Sequence, residues 1–444
     1  MSRPRRFRWL RFAPLLLVLV VGIGWGRKAL TPPLHVARFA DGTTVTVHEI
    51  DWGPGNEYVD GTAWDRLIAP FMSPWKRPQV RSVHAPDPQT PVIWFSDQGP
   101  SAGAWDDISV FDEHGCESRA TAAWTRFVSA SFTPSGNQLR LVGLHSLAPP
   151  AYPRRGRLLG VRFWDRSDRI LGEVRLANPS RGTHPSWQDE PLKLSEALDD
   201  LHRIRLDHFK TGFPLGGGWT HPVLYGNTKI GLEITRGGRP TVDWVPYYAS
   251  IHDATGNTYP GLRHQGMGGP RARIHQLSDL VTLFPDDEIY RVKVACGRTR
   301  TASFAPDELW TLPDVPPADA GGESKPVVVA RDGLELQGEV VREAETRSLQ
   351  LQVSINHGTP DLYLTVVRAV DESGREIQLP SEVANGYSGP SIHYFPTNSS
   401  TRYDLPVPRW GRKVTLTVAV QRAKWVEFTA TPARPAEADT GAVR

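Results

Sequence analysis

The sequence predicts an all-β protein: tandem β-sandwich domains of immunoglobulin-like build behind one N-terminal transmembrane or signal helix. Three observations predict it. Residues 34–430 carry almost no sustained helical apolar period; what recurs is short runs of β-branched and aromatic residues bounded by Gly, Pro, Asn or Asp. The 444 residues include 40 glycines and 39 prolines, well above the ~12% that average usage gives the pair, and without the period of a fibrous repeat. Many turns between short strands require that excess. Finally, a single apolar run, residues 12–26, stands at the N-terminus behind five arginines.

That leader comes first in the chain. Arg3, Arg5, Arg6, Arg8 and Arg11 precede the apolar run, and only Arg27 and Lys28 follow it, a bias that keeps the N-terminus in the cytoplasm and sends the rest across the membrane. The run is shorter than the ~20 residues of a usual spanning helix, so a cleaved signal competes with an uncleaved anchor; the missing A-x-A site favours the anchor. Residues 1–28 are therefore read as a basic cytoplasmic segment and single-pass membrane anchor. The body is expected outside the cytoplasm, periplasmic or at the cell surface, and secreted if the signal is cleaved. The leader also explains the net charge. The chain has 51 Lys and Arg against 48 Asp and Glu, and without the seven basic leader residues the body holds 44 against 48. A nucleic-acid binder would carry its basic charge on the folded body, so that class is disfavoured.

Strands follow in order. Residues 35–39 pair with 43–47 across an Asp41-Gly42 turn as a hairpin; 92–95, 139–142, 158–164 and 170–176 continue the series. Short helices are expected only at 64–71 and at 194–201, the latter with Ser195 as N-cap. The stretch from Leu312 to Pro326 (LPDVPPADAGGESKP) has no apolar pattern and reads as a linker, as does 178–191 more weakly. The expected organisation is a first β domain over 29–180, a second sandwich over 190–312, a linker at 313–326, a third sandwich over 327–430 and a disordered tail at 431–444. Internal similarity supports the division. An offset of 124 aligns Val292, Val294, Arg298 and Phe304 with Leu416, Val418, Arg422 and Phe428. A D-x-x-G turn recurs at Asp253–Gly256 and Asp371–Gly374, with a looser copy at Asp112–Gly115, each needing glycine for φ > 0.

Several short motifs occur together: the basic anchor, DEHGC at 112–116, YPRR at 152–155, NPSRGTHPSW at 178–187 and DATGN at 253–257. In that order the chain resembles a family of signal-anchored bacterial extracytoplasmic β proteins with no known activity. The resemblance covers most of the chain before residue 320. It implies an extracytoplasmic β protein and carries over no functional residue.

Chemistry-bearing motifs are sparse. Ser73-x-x-Lys76, Lys210-Thr211-Gly212 and Tyr225-x-Asn227 match penicillin-binding motifs, but the asparagine motif follows K-T-G instead of preceding it, and strands stand where that fold needs helices. The 14 histidines form no H-E-x-x-H, and Cys116 and Cys296 form no C-x-x-C. The two cysteines are read as partly buried thiols. His252, Asp253 and Asn257 fit turn chemistry better than a metal site, and Asp286-Asp287-Glu288 reads as a solvated acidic loop. In Trp105-Asp106-Asp107 the adjacent carboxylates would face opposite sides of a strand. Gly216-Gly217-Gly218 and Gly266-Met267-Gly268-Gly269 lack the strand-to-helix context of a phosphate cradle. Thirteen tryptophans after residue 28 are many for a body of this size, and exposed ones suit sugar stacking or protein contact. The sequence thus assigns no catalytic, cofactor-binding or metal-binding residue. It points to a binding or structural module whose partners are the membrane and a protein or glycan ligand; an extracytoplasmic hydrolase acting on glycan or peptide is the alternative.

The arginine-flanked run makes a direct prediction: carbonate-washed membranes retain the full-length protein, and protease reaches residues after 28 only from the outer side. Release of a shortened soluble form would mean a cleaved signal.

Overall fold

The computed structural model describes residues 35–52, 56–59, 80–83, 91–100, 102–120, 125–135, 138–149, 151–167, 169–178, 187, 189–212, 228–267, 273–279, 282–284, 288–316, 325–342, 349–356, 361–379, 391–395, 398–405 and 413–434. The fold is all-β, and among these residues there is no α-helix, hence none long and apolar enough to cross a membrane. The leader and the helix expected at 64–71 lie outside the described residues. The strands are β1 (His35–Arg38), β2 (Thr44–Trp52), β3 (Asn56–Val59), β4 (Val80–Val83), β5 (Pro91–Gln98), β6 (Asp107–Phe111), β7 (Glu117–Ala120), β8 (Thr125–Ser135), β9 (Gln138–Leu147), β10 (Leu158–Trp164) and β11 (Ile170–Ala177). They continue as β12 (Ser195–Ala197), β13 (His202–Lys210), β14 (Thr228–Arg236), β15 (Arg239–Pro240), β16 (Trp244–His252), β17 (Thr258–Met267), β18 (Ile274–Asp279), β19 (Tyr290–Arg298), β20 (Leu309–Val315), β21 (Val327–Arg331), β22 (Leu334–Arg342), β23 (Leu349–Ile355), β24 (Leu362–Asp371), β25 (Ser391–Phe395), β26 (Asn398–Leu405), β27 (Val414–Arg422) and β28 (Lys424–Ala430).

The chain divides into two compact units, one reaching to His114 and resuming over Arg119–Arg181, the other made of Gly115–Ser118 and everything from Gly182. In the first, a five-stranded sheet runs β1-β2-β5-β9-β8 and a four-stranded one β11-β10-β6-β7. The expected hairpin is present: His35 pairs Val47, Gly42 has φ 86°, and Asp41 Oδ1 accepts Thr43 N at 2.8 Å. Aromatic rings fill the space between the sheets, with Phe95 edge-on to Phe163 at 5.6 Å and Phe39 5.9 Å from Phe163.

In the second unit a nine-stranded sheet follows the order β12-β13-β14-β18-β17-β16-β19-β28, with β15 beside β14. A three-stranded sheet (β20-β27-β24) and a five-stranded sheet (β21-β22-β23-β26-β25) share one core, where Leu312, Val366 and Leu416 of the first meet Leu336, Val340 and Val353 of the second. Two strand pairs cross from sheet to sheet. The chain leaves β19 in the large sheet for β20 in the small one, and returns from β27 in the small sheet to β28 in the large one. The ladders run from Tyr290–Ala430 to Cys296–Lys424 and from Leu309–Ala419 to Val315–Val414. At the crossing, Gln421, 1% exposed, accepts Arg298 N at 2.8 Å and donates to Arg298 O at 2.8 Å. Thr365 Oγ1 donates to the same carbonyl at 3.1 Å, and the Arg298 guanidinium pairs with Glu308. Tyr363 stacks on Tyr247 at 4.7 Å and lies so close to Gly297 that a Cβ there would sit 2.1 Å from its ring.

Three expectations need correcting. Residues 194–201 do not form a helix: Ser195 pairs Arg205 as β12, and the Asp199 carboxylate then accepts Leu201 N and His202 N at 2.8 and 2.7 Å to build a turn. Backbone pairing to β13 outweighs the weak helical pattern. The stretch from Leu312 is not all linker, because β20 runs to Val315, with Leu312 and Val315 fully buried; the segments expected as 190–312 and 327–430 therefore exchange strands. Of the expected disordered tail, residues 435–444 lie outside the described residues, but 431–434 are held in place: Arg434 donates to Leu283 O (3.0 Å), Phe284 O (3.2 Å) and Tyr290 OH (3.1 Å), while Thr211 N donates to Ala433 O. A polar sequence buries little surface but can still satisfy backbone carbonyls.

The aspartate turns are as the sequence predicts. Gly115, Gly256 and Gly374 have φ of 79°, 98° and 81°. In each the aspartate Oδ1 accepts the amide two residues on: His114 at 2.8 Å, Thr255 at 3.0 Å and Ser373 at 2.9 Å. Asp165 makes the same bond without the glycine, its Oδ1 accepting Ser167 N and Arg169 N at 2.8 and 2.9 Å.

Candidate functional site

Three histidine-centred clusters stand out among the described residues, and their surroundings separate them. The first is a buried pair. Asp97 on β5 and His145 on β9, 1% and 5% exposed, meet at 3.0 Å because Gly143 opposite Asp97 leaves the room; a Cβ there would lie 2.5 Å from the carboxylate. Gly103 N (2.6 Å) and Trp105 Nε1 (3.2 Å) also donate to Asp97, and Phe95 stacks on the imidazole at 5.1 Å. Burial raises the carboxyl's proton affinity, but the hydrogen bond and charge of His145 and the Trp105 and Gly103 donors together hold it below its ordinary 3.8. This cluster anchors Gly103 and Trp105 and, with the Asp97 and His145 side chains both buried, is closed to ligands.

The second is a clamp. His202 Nδ1 lies 2.9 Å from Asp199 and its Nε2 3.2 Å from Asp243, which also accepts Thr241 Oγ1 at 2.8 Å. Both carboxyls are held below the usual value; in each, burial opposes the shift and hydrogen bonds prevail, chiefly from Leu201 N to Asp199 and from Thr241 to Asp243. The clamp ties one end of the large sheet together.

The third lies on a sheet face. Period-two alternation puts Tyr248, Ser250 and His252 of β16 on one side, and the register to β19 and β28 sets three rows across it. Tyr248, Ala295 and Trp425 form the first row, Ser250, Lys293 and Glu427 the second, and His252, Arg291 and Thr429 the third. The small Ala295 lets Trp425, 37% exposed, stand edge-on to Tyr248 at 6.2 Å. Trp187 packs on the Arg291 guanidinium at 4.3 Å, Glu190 pairs with Arg291 at 2.6 Å, and Lys293 reaches Glu427 only at 3.8 Å. His252 bonds two hydroxyls: Ser250 Oγ lies 3.0 Å from Nε2 and Thr258 Oγ1 3.2 Å from Nδ1. Burial lowers the imidazole's proton affinity most; Lys293 adds to this, Glu427 opposes it and Arg291 adds least. The ring is therefore neutral at pH 7, one nitrogen donating and the other accepting. Opposite Ser250 the β16–β17 ladder breaks: Ala249 pairs Leu262 and Ile251 pairs Tyr259, so Pro260 and Gly261, the latter with φ 95°, face one residue.

The residues singled out from sequence fall elsewhere. Ser73, Lys76, Tyr225, Asn227, Asp286, Asp287, Gly216-Gly217-Gly218 and Gly268-Gly269 lie outside the described residues. Thr211 of K-T-G is buried, bonds Thr228 Oγ1 at 2.9 Å and accepts Leu283 N at 3.0 Å, so it closes a strand end. Trp105 serves Asp97, and Asp106 pairs with the exposed Arg166 at 3.3 Å. Asp253, 2% exposed, accepts Thr255 N, Thr255 Oγ1 and Asn257 N on one oxygen and Asn257 Nδ2 and Tyr259 OH on the other, as turn chemistry requires. No three His, Cys, Asp or Glu side chains among the described residues gather as a metal site would need. Cys116 and Cys296 are both free thiols, and burial pushes the Cys296 thiol well up. Two of the motifs meet, the Asn178 carboxamide donating to Pro153 O and, at 2.9 Å, to the following Gly156 O, while Glu113 of a third accepts Arg157 N and Leu158 N at 2.9 and 3.2 Å just beyond them. The sequence signal missed was Ser-x-His inside a strand run, since residues two apart on a strand share a face.

Compared with known proteins, the chain matches no family model and no curated protein.

The buried Asp253 turn and its surface counterpart give a graded prediction. Asp253→Ala strands five donors inside the protein and costs roughly 3 kcal/mol, whereas Asp371→Ala, at the surface, costs about 1 kcal/mol. Equal melting shifts, or a chelator-sensitive shift lost in Asp253→Ala, would contradict the turn account.

Proposed function

We propose that the protein is a membrane-anchored extracytoplasmic binding module, its body built of immunoglobulin-like sandwiches and held by the N-terminal helix. The observation that supports this reading is the three-row face of β16, β19 and β28. It offers an exposed tryptophan, a tyrosine, two cations and a carboxylate on a backbone fixed by the ladders that join β16 to β19 and β19 to β28. Aromatic and arginine side chains on a rigid surface bind a partner with little entropy loss. Among the described residues the perturbed carboxyls Asp97, Glu113, Asp165, Glu196, Asp199 and Asp243 are all held low, in the ionised form suited to accepting bonds and not in the raised form of a general acid. That favours binding over a carboxylate-based glycan hydrolase.

A photo-crosslinking residue at position 425 or 293 of the full-length protein, activated in intact cells, should give discrete adducts with a protein or glycan partner, and one at the exposed turn residue 372 should not. Adducts equal at all three positions, or none at 425 and 293, would overturn the assignment of this face.

A further inference from the structure

The chemistry of the second and third rows goes beyond binding. A serine hydroxyl 3.0 Å from an imidazole nitrogen is the contact a nucleophile and its general base must make, and a second hydroxyl, Thr258 Oγ1, holds the other ring nitrogen at 3.2 Å. With the proton on Nδ1 donated to Thr258, Nε2 is left to accept from Ser250. Lys293 stands directly across the ladder from Ser250 and Arg291 across from His252. Arg291 is held by Glu190 at 2.6 Å, whereas Lys293 meets Glu427 only at 3.8 Å and is the cation that borders the place where an oxyanion would form. The Pro260–Gly261 bulge interrupts the ladder beside Ser250 and, at Gly261, sets no side chain there. Ser250 is 9% exposed, and the Lys293 and Arg291 side chains across the ladder, 49% and 39% exposed, form the solvent-facing part of the patch by which a substrate would reach it.

We propose that Ser250, His252 and Thr258 form an acyl-transfer site for O-acyl esters, with Ser250 as nucleophile, His252 as general base and Thr258 as the positioning residue. Ser250 Oγ bonds to the ester carbonyl carbon while its proton passes to His252 Nε2, and Lys293 faces the developing oxyanion. The C–O bond to the alcohol then breaks, the alcohol leaves with the proton from His252, and an acyl-Ser250 remains. Water repeats the sequence: it gives a proton to His252, attacks the acyl carbon and releases the carboxylic acid, and the proton returns to Ser250. No other co-reactant is needed. The inference stands apart from the binding reading, since a face can bind without reacting.

The test treats purified full-length protein with a fluorophosphonate, which forms an Oγ–P bond as fluoride leaves, and maps the adduct by peptide mass. Adduct at Ser250 is expected, its rate falling at least ~10²-fold in His252→Gln, which keeps the volume but not the base. Thr258→Val should slow labelling less, and Thr258→Ser should restore it. Hydrolysis of p-nitrophenyl acetate should show a burst that Ser250→Ala abolishes. With melting temperatures confirming each variant folded, an unlabelled Ser250 in the wild type, or an unchanged rate in His252→Gln, overturns the proposal. Crosslinking at 425 and 293 would stand in either case.

Discussion

The second unit depends on one constraint: two antiparallel strand pairs pass together from one sheet to another. β19 and β28 are neighbours in the large sheet, β20 and β27 in the small one, and the chain links β19 to β20 and β27 to β28. Gln421 and Thr365 hold the point of passage by satisfying the backbone of Arg298 on both sides, and a buried amide that makes several such bonds is costly to displace. The tyrosine pair and the missing side chain at Gly297 let the two sheets approach there. The candidate site follows from the same crossing. Its rows need β28 for Trp425 and Glu427, β19 for Lys293 and Arg291, and β16 for Ser250 and His252, so residues as far apart in sequence as Ser250 and Glu427 make one face.

Three histidines show how context divides one chemistry into different roles. His145 is enclosed between aromatic rings and spends its bond on Asp97, and His202 is gripped by two carboxylates. His252 bonds hydroxyls instead, with Lys293, Glu427 and Arg291 around it. Carboxylate partners make the ring a fastener; at His252 burial first, and then the charge of Lys293, favour the neutral ring, the form able to take a proton.

Local features were legible in the sequence and long-range pairings were not. The Asp41-Gly42 hairpin, the strands at 158–164 and 170–176 and the positive φ of Gly256 and Gly374 follow from contacts within a few residues, where turn chemistry decides. The misread segments are those where partners distant in sequence decide. Residues 194–201 carry a short helical pattern, yet β13 captures Ser195. The 431–434 segment is polar, yet Arg434 finds carbonyls 150 and 151 positions away. The Asp97–His145 pair spans 48 residues and depends on a glycine two positions from the histidine, which no spacing rule marks. Ser250 and His252 were within reach of the alternation rule; their significance comes from Lys293 and the bulge, which only the ladder reveals.

Native-state hydrogen exchange tests the crossing most directly, with the wild type compared to Gly297→Ala, whose added methyl must push Tyr363 aside. The account predicts that amides of 290–298, 309–315, 414–422 and 424–430 open together with one free energy, and that the substitution lowers all four by the same amount, about 1–3 kcal/mol as overpacking costs. Loss of protection in 424–430 alone, with 290–298 and 414–422 unchanged, would show that the sheets fold separately and contradict it.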